Sequence, residues 1–188
     1  KTSAIAHWQL LRERTDSDPK IRVYNPSFEE HGWQSRHTII EIVTDDMSFL
    51  VDSTSMGLNR AGITIHLTIH PVAGVVRDKL GRLLAVHDIS TGLGKPESMI
   101  CFQIEKQLSP DYMQKLERMV RSVLLDVTLA NRDWQVMRQR VQSIAEGMAE
   151  STLPVAKEDL SEARAFLDWA VEDHFTFLAY CEFDLLTK

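Results

Sequence analysis

Residues 38–71 read TIIEIVTDDMSFLVDSTSMGLNRAGITIHLTIHP, and this stretch decides the fold. It opens on Ile39, Ile40, Ile42 and Val43, a β-branched run with Glu41 as its single charge. Such a run suits a strand with one face in the core and the other partly covered. Asp45 and Asp46 follow as an acidic turn, placed for their carboxylates to cap the free N–H groups of a helix. From Met47 to Ala61, Leu50, Val51, Thr54, Leu58 and Ala61 recur at spacings of three and four, which predicts that helix. Gly62 supplies the left-handed residue that ends it. Ile63, Ile65, Leu67 and Ile69 then alternate with Thr64, His66, Thr68 and His70, predicting a strand with one core face and one polar face. The strand is expected to run past Pro71 through Val75 and Val76, with Pro71 at an edge or bulge.

On the N-terminal side, residues 2–14 read as a short helix with Ile5, Trp8 and Leu10 or Leu11 along one side. TDSDPK is a polar turn, Ile21 to Tyr24 a brief strand, and residues 25–36 a loop. On the C-terminal side, Asp78 to Arg82 is a turn, Leu83 to Ile89 a short strand and TGLGKPE a loop. Ser98 to Lys106 alternates again, with Ile100, Phe102 and Ile104 on one face. Ser109, Pro110 and Asp111 mark a helix start. An apolar stripe then persists from Met113 to Met148, one helix or two nearly collinear ones broken near Asn131. Residues 151–156 are a linker. Lys157 to Asp173 is an amphipathic helix with Leu160, Ala163, Phe166, Leu167 and Ala170 inward. His174 to Leu186 alternates as a final strand, which either returns to the first sheet or begins another domain.

The 188 residues carry 44% hydrophobic and 26% charged side chains, the proportions of a globular chain. A net charge of −6 argues against a nucleic-acid partner, because phosphate neutralisation needs clustered Lys and Arg. Apolar runs are too short to span a membrane. The expectation is a cytoplasmic chain, and both ends read as cuts in a longer polypeptide. Cys101 and Cys181 each sit in an apolar run and are expected to be buried free thiols.

Chemistry-bearing patterns are scarce. His66 and His70 lie on one strand face but about 13 Å apart at 3.3 Å per residue, too far to share a metal. Gly92-Leu93-Gly94-Lys95 lacks the spacing of a phosphate loop, and there is no GxGxxG, GxSxG or HExxH. The remaining functional candidate is the turn from Thr44 to Phe49 with the facing helix and strand.

Residues 40–83, IEIVTDDMSFLVDSTSMGLNRAGITIHLTIHPVAGVVRDKLGRL, resemble the ACT-type domain near the N-terminus of the large NAD-specific glutamate dehydrogenases. Further marks stand in that family's order: Arg22-Val23-Tyr24-Asn25-Pro26, Gly32-Trp33, Glu97-Ser98, Arg132-Asp133-Trp134, Phe166-Leu167-Asp168-Trp169 and Asp173-His174-Phe175-Thr176-Phe177-Leu178. The likeness covers roughly residues 20–186. It implies an α+β, ferredoxin-like antiparallel sheet with helices packed on one face and a long helical extension. The implied divisions are a lead-in at 1–36, the ACT-like domain at 37–130, a helical extension at 131–174, and at 175–188 a strand leading onward.

The parent enzyme in that family oxidises L-glutamate to 2-oxoglutarate and ammonium with NAD, in a catalytic domain far downstream. The resemblance therefore implies no catalytic residue, no metal and no cofactor in this stretch, with NAD serving the parent. The implied role is assembly or amino-acid sensing, in contact with other domains of the same chain and in a homo-oligomer. For a small amino-acid effector the expected positions are Asp45, Asp46, Met47, Ser48, Asn59 and Gly62. ACT turns often carry proline where this chain has Ser48. The alternatives are an amino-acid-sensing or protein-interaction module of another multidomain protein, and a free-standing enzyme, against which the missing cofactor signatures count.

Overall fold

The computed structural model describes residues 2–15, 18–148 and 155–183, residues 2–6 by backbone alone. In chain order the elements are α1 (Thr2–Leu11), β1 (Lys20–Tyr24), α2 (Phe28–His31), β2 (Thr38–Asp45), α3 (Leu50–Arg60), β3 (Ile65–Ile69), β4 (Val72–Arg77), β5 (Leu83–Asp88), β6 (Lys95–Ile104), α4 (Pro110–Met148) and α5 (Lys157–Trp169). They fall into two compact units, 1–127 and 128–188. Asp16, Ser17, residues 151–154 of the expected linker and the end of the expected last strand beyond Phe183 lie outside the described residues.

The first unit is built on one antiparallel sheet in the order β1-β2-β6-β4-β5, with β3 pairing β6 beyond the end of β4. β3 and β4 are two halves of one path along β6, separated where Pro71 has no N–H to give the ladder. The Pro71 carbonyl still accepts from the Met99 N–H at 2.9 Å, so the path bends without losing its neighbour. This is the α+β, ferredoxin-like arrangement. The place beside β2, which in the βαββαβ order belongs to a strand after the second helix, is taken by β1 from before the module. The brief strand expected at Ile21 to Tyr24 thus belongs to the sheet.

Alternation sorts the two faces. Ile40 and Ile42 of β2 and Ile100, Phe102 and Ile104 of β6 point into the main core with Leu50 and Leu58 of α3 and Leu116, Val120, Leu124 and Val127 of α4. The opposite face is partly covered by α1, whose buried Leu10 and Leu11 pack with Val43 and Val75. Helices therefore lie on both faces. Trp8, expected on the same side as these leucines, is exposed.

The expected regular alternation through Ile63 to His70 fails at one point. Ile65 opposes Ile104, but Leu67 opposes Gln103, so the register slips at His66. A bulge of one residue moves every following side chain to the other face. Thr68 now opposes Phe102, while Leu67 and Ile69 are 43% and 47% exposed.

Another tight spot lies between β4 and the loop before β6. A Cβ at Gly74 would stand 1.9 Å from the Leu93 carbonyl oxygen. Gly74→Ala is expected to destabilise the chain by about 1–3 kcal/mol through overpacking against backbone that has no room to retreat. A thermal melt unchanged from the parent chain would contradict this.

α4 is one uninterrupted helix of 39 residues, about 58 Å at 1.5 Å per residue, with no break at Asn131. In the second unit its Met137, Val141 and Ala145 are buried, as is Ala170 after α5. Arg138 Nε donates to the Val171 carbonyl at 2.7 Å. α5 ends at Trp169 in a wide turn, Ala170–His174, rather than continuing as α-helix to Asp173. Ala163 and Phe166, expected inward, are exposed. Phe175 to Phe183 forms no strand, and Cys181 is exposed rather than buried. An alternating pattern needs a neighbouring strand to take its N–H and C=O groups, and these residues have none among the described ones.

Candidate functional site

β2 ends at Asp45, and the chain turns through Asp46, Met47, Ser48 and Phe49 into α3. The acidic pair does not cap the helix as the sequence suggests. α3 begins at Leu50 behind Phe49, which takes a left-handed φ of 70° and makes no side-chain cap hydrogen bond. Each carboxylate turns instead to the rest of the sheet. Asp45 accepts from Arg14 Nη2 at 2.6 Å and from Lys95 Nζ at 2.6 Å. Asp46 accepts from Ser98 Oγ at 2.5 Å, and Ser98 Oγ also lies 2.8 Å from His70 Nε2. The turn is therefore tied to the segment after α1, to β6 and, through Ser98, to His70 just past β3.

Behind Asp45 the charges continue inward. Glu97, only 2% exposed, takes both guanidinium arms of Arg77 at 2.8 Å and Arg14 Nη1 at 3.0 Å. Arg77 Nη1 also donates to the carbonyls of Leu11 and Gly81. The buried Arg14 and Glu97 and the partly buried Arg77 and Asp45 thus satisfy one another, as charges withdrawn from water must. With Lys95 they line a pocket of about 260 Å³. Burial works against ionising Asp45, but the bonds from Lys95 and Arg14 outweigh it and hold its carboxyl below the usual carboxylate range.

A second buried charge lies further along the same face of β2. Glu41 is wholly buried and accepts from Arg22 Nε at 3.0 Å and Tyr24 Oη at 3.2 Å. His7 Nδ1 is 3.4 Å away, near enough to attract but not aligned as a hydrogen bond. Burial opposes the Glu41 charge, yet His7 and Arg22 lower its pKa. Burial, reinforced by the Glu41 charge, pushes the neighbouring Cys101 thiol up to about 12, which makes it a poor nucleophile.

The six sequence-expected positions do not converge. Asp45, Asp46, Met47 and Ser48 share the turn, and Met47 packs against the main core. Asn59 and Gly62 stand at the other end of α3, about 15 Å away by helix rise. There they close the helix: the Gly62 N–H donates to the Asn59 carbonyl and the Ile63 N–H to the Leu58 carbonyl, with Gly62 at φ 75°. The residues that sequence reasoning did not bring to this turn are Arg14, Arg77, Lys95, Glu97, Ser98 and His70. A signal existed for Glu97, which shares the parity of Met99 and Cys101 on the second face of β6. No cluster of three or more metal-ligating side chains occurs among the described residues.

Comparison with known proteins gives this turn its context. The family model for the glutamate dehydrogenase ACT1 domain matches residues 2–120. The chain belongs to this ACT1-domain family. The ACT1 chain is 36% identical over 189 residues to the NAD-specific glutamate dehydrogenase of Pseudomonas aeruginosa, covering 96% of this chain and 11% of that protein. It is 36% identical over 187 residues to that of Halomonas elongata, covering 97% and 12%. For the Mycobacterium tuberculosis enzyme the values are 24% over 179 residues, 93% and 11%. The chain thus spans about a ninth of the length of the curated relatives it matches.

Within the ACT1 domain the lowered pKa values set an acid limit. A carboxyl whose folded pKa is depressed contributes stability that is fully present above its unfolded value, about 4, and that is lost as pH falls through the folded pKa. Unfolding free energy measured from pH 6 down to pH 2 should decline below about pH 4, and Asp45→Asn should flatten part of that decline. An unchanged slope in the variant would remove Asp45 from the acid response.

Proposed function

We propose that this ACT1 domain is a non-catalytic assembly or regulatory part of an NAD-specific glutamate dehydrogenase. The observation that carries the reading is 36% identity along almost the whole chain to two such enzymes of which it spans 11–12%. In the parent reaction L-glutamate, NAD and water give 2-oxoglutarate, ammonium and NADH, and NAD binds elsewhere in the longer protein. The protein would act in the cytoplasm, and no helix among the described residues is long and apolar enough to cross a membrane.

Assembly, with other domains of the same chain or in a homo-oligomer, is supported by large apolar side chains left exposed among the described residues. Leu129, Trp134 and Val136 of α4 are exposed, as are Phe166 and Trp169 of α5. Large exposed apolar side chains are the material of interaction sites where they join into a patch. Sedimentation velocity of the 188-residue chain over a range of concentrations is expected to show self-association. A strict monomer throughout removes the homo-oligomeric form of the reading, and glutamate-dependent NAD reduction by this chain alone overturns the non-catalytic one.

Amino-acid sensing is the second reading, favoured by the pocket beside Asp45. Its exposed Lys95 and partly exposed Asp45 offer a cation and an anion that a zwitterion can exchange into. Isothermal titration against a panel of amino acids tests it, and no heat from any of them sinks it.

A further inference from the structure

His66 is too far from His70 to share a ligand, but the fold brings it a different partner. Its imidazole lies against that of His37, ring centroids 4.5 Å apart and planes at 40°. The topology explains the meeting. His37 immediately precedes β2, His66 is the bulge residue of β3, and Ile104 of the intervening β6 pairs with both Thr38 and Ile65. His37 has the parity of Ile39, so the pair sits on the sheet face opposite α3 and α4. The slip at His66, which costs β3 its regular alternation, is what stands beside this ring contact.

The two rings differ from most other imidazoles of the chain. His31, His70 and His174 hydrogen-bond to Ser27, Ser98 and Trp169, and His7 faces Glu41. The rings of His37 and His66 make no hydrogen bond to any other described residue, and His37 bonds Ser35 through its backbone N–H alone. His37 is half-buried and His66 exposed, so water reaches the pair. Imidazole nitrogens are the preferred donors of borderline divalent ions. A metal about 2.0–2.1 Å from each nitrogen spans nitrogens up to roughly 4 Å apart, within reach of rings this close.

We infer that His37 and His66 form a two-imidazole site for a divalent transition-metal ion of the zinc and copper class, completed by water. With two protein ligands the site is exchangeable rather than a closed structural one. The ion would tie the entry of β2 to the bulge of β3 across β6. β2 is eight residues long, which sets the pair about 25 Å from the turn at Asp45. The site is therefore independent of the reading proposed above.

Cu²⁺, which binds nitrogen sites most strongly in its row, is the probe. Titrated into the metal-free 188-residue chain, one equivalent is expected to give an electron paramagnetic resonance spectrum with two equatorial imidazole nitrogens, competed away by Zn²⁺. His37→Gln and His66→Gln should each lose the two-nitrogen pattern and bind at least about tenfold more weakly, since even the loss of an outer-shell partner costs that much. His87→Gln should bind as the parent does. Circular dichroism checks that the variants fold. In the unaltered chain, Zn²⁺ should shift the ring resonances of His37 and His66 before those of any other histidine. Retention of the two-nitrogen spectrum in both variants, or prior shifts at other histidines, overturns the site and leaves the contact as simple stacking.

Discussion

Glu97→Ala is expected to destabilise the chain by about 4 kcal/mol, because removing one partner of a buried ion pair strands the other. Here two guanidiniums lose this partner. The Arg14 and Arg77 side chains are 4% and 13% exposed, and among the described residues Glu97 is the one carboxylate bonded to both. Arg14 retains Asp45, while Arg77 keeps only the carbonyls of Leu11 and Gly81. Against a total stability of roughly 5–15 kcal/mol this loss is large. Arg77→Ala should cost less, since Glu97 then keeps Arg14, and the double variant should cost less than the sum of the two. Urea denaturation at neutral pH reads all three. A loss below about 1 kcal/mol for Glu97→Ala would place the network with exposed pairs, which are worth little. Lys95, 60% exposed, is the internal contrast, and its replacement by alanine should change stability by no more than about 1 kcal/mol.

Glu41→Ala is expected to cost about 3 kcal/mol by the same physics, moderated because the Arg22 side chain, 28% exposed, can turn toward water. Three groups lose their acceptor: Arg22, the Tyr24 hydroxyl and, more weakly, His7. The pH response separates charge from packing. The folded pKa of Glu41 is depressed, so its contribution is complete above about pH 4 and fades as pH falls through the folded value. Parent and Glu41→Ala should therefore converge in stability as the pH drops toward 2, whereas a variant that had lost only packing would stay apart. Equal separation at pH 7 and pH 2.5 would show that the carboxylate charge contributes nothing.

How much of this is legible in the sequence depends on how far apart the cooperating residues stand. The end of α3 is legible because Leu58, Asn59, Gly62 and Ile63 settle it among themselves. Ser109 at the start of α4 is legible for the same reason, with its hydroxyl accepting from the Tyr112 N–H. The acidic turn misleads because capping is the local option for Asp45 and Asp46. The tertiary option wins, through partners 31 and 52 residues away in Arg14 and Ser98. The last expected strand fails similarly as far as Phe183: alternation from Phe175 onward states a preference, and no edge among the described residues receives it.

By itself the sequence determined the α+β class, most of the strands and helices of the 38–104 module, the apolar stripe that follows Pro110 and the family, because periodicity and ordered blocks are properties of neighbours along the chain. Only the tertiary structure decided which strand fills the place beside β2, where the register slips at His66, and which cations meet Asp45, Glu97 and Glu41. Those outcomes turn on desolvation. A charge closed off from water must find its counter-charge wherever the fold has brought one, and a strand must lie where another can accept its hydrogen bonds.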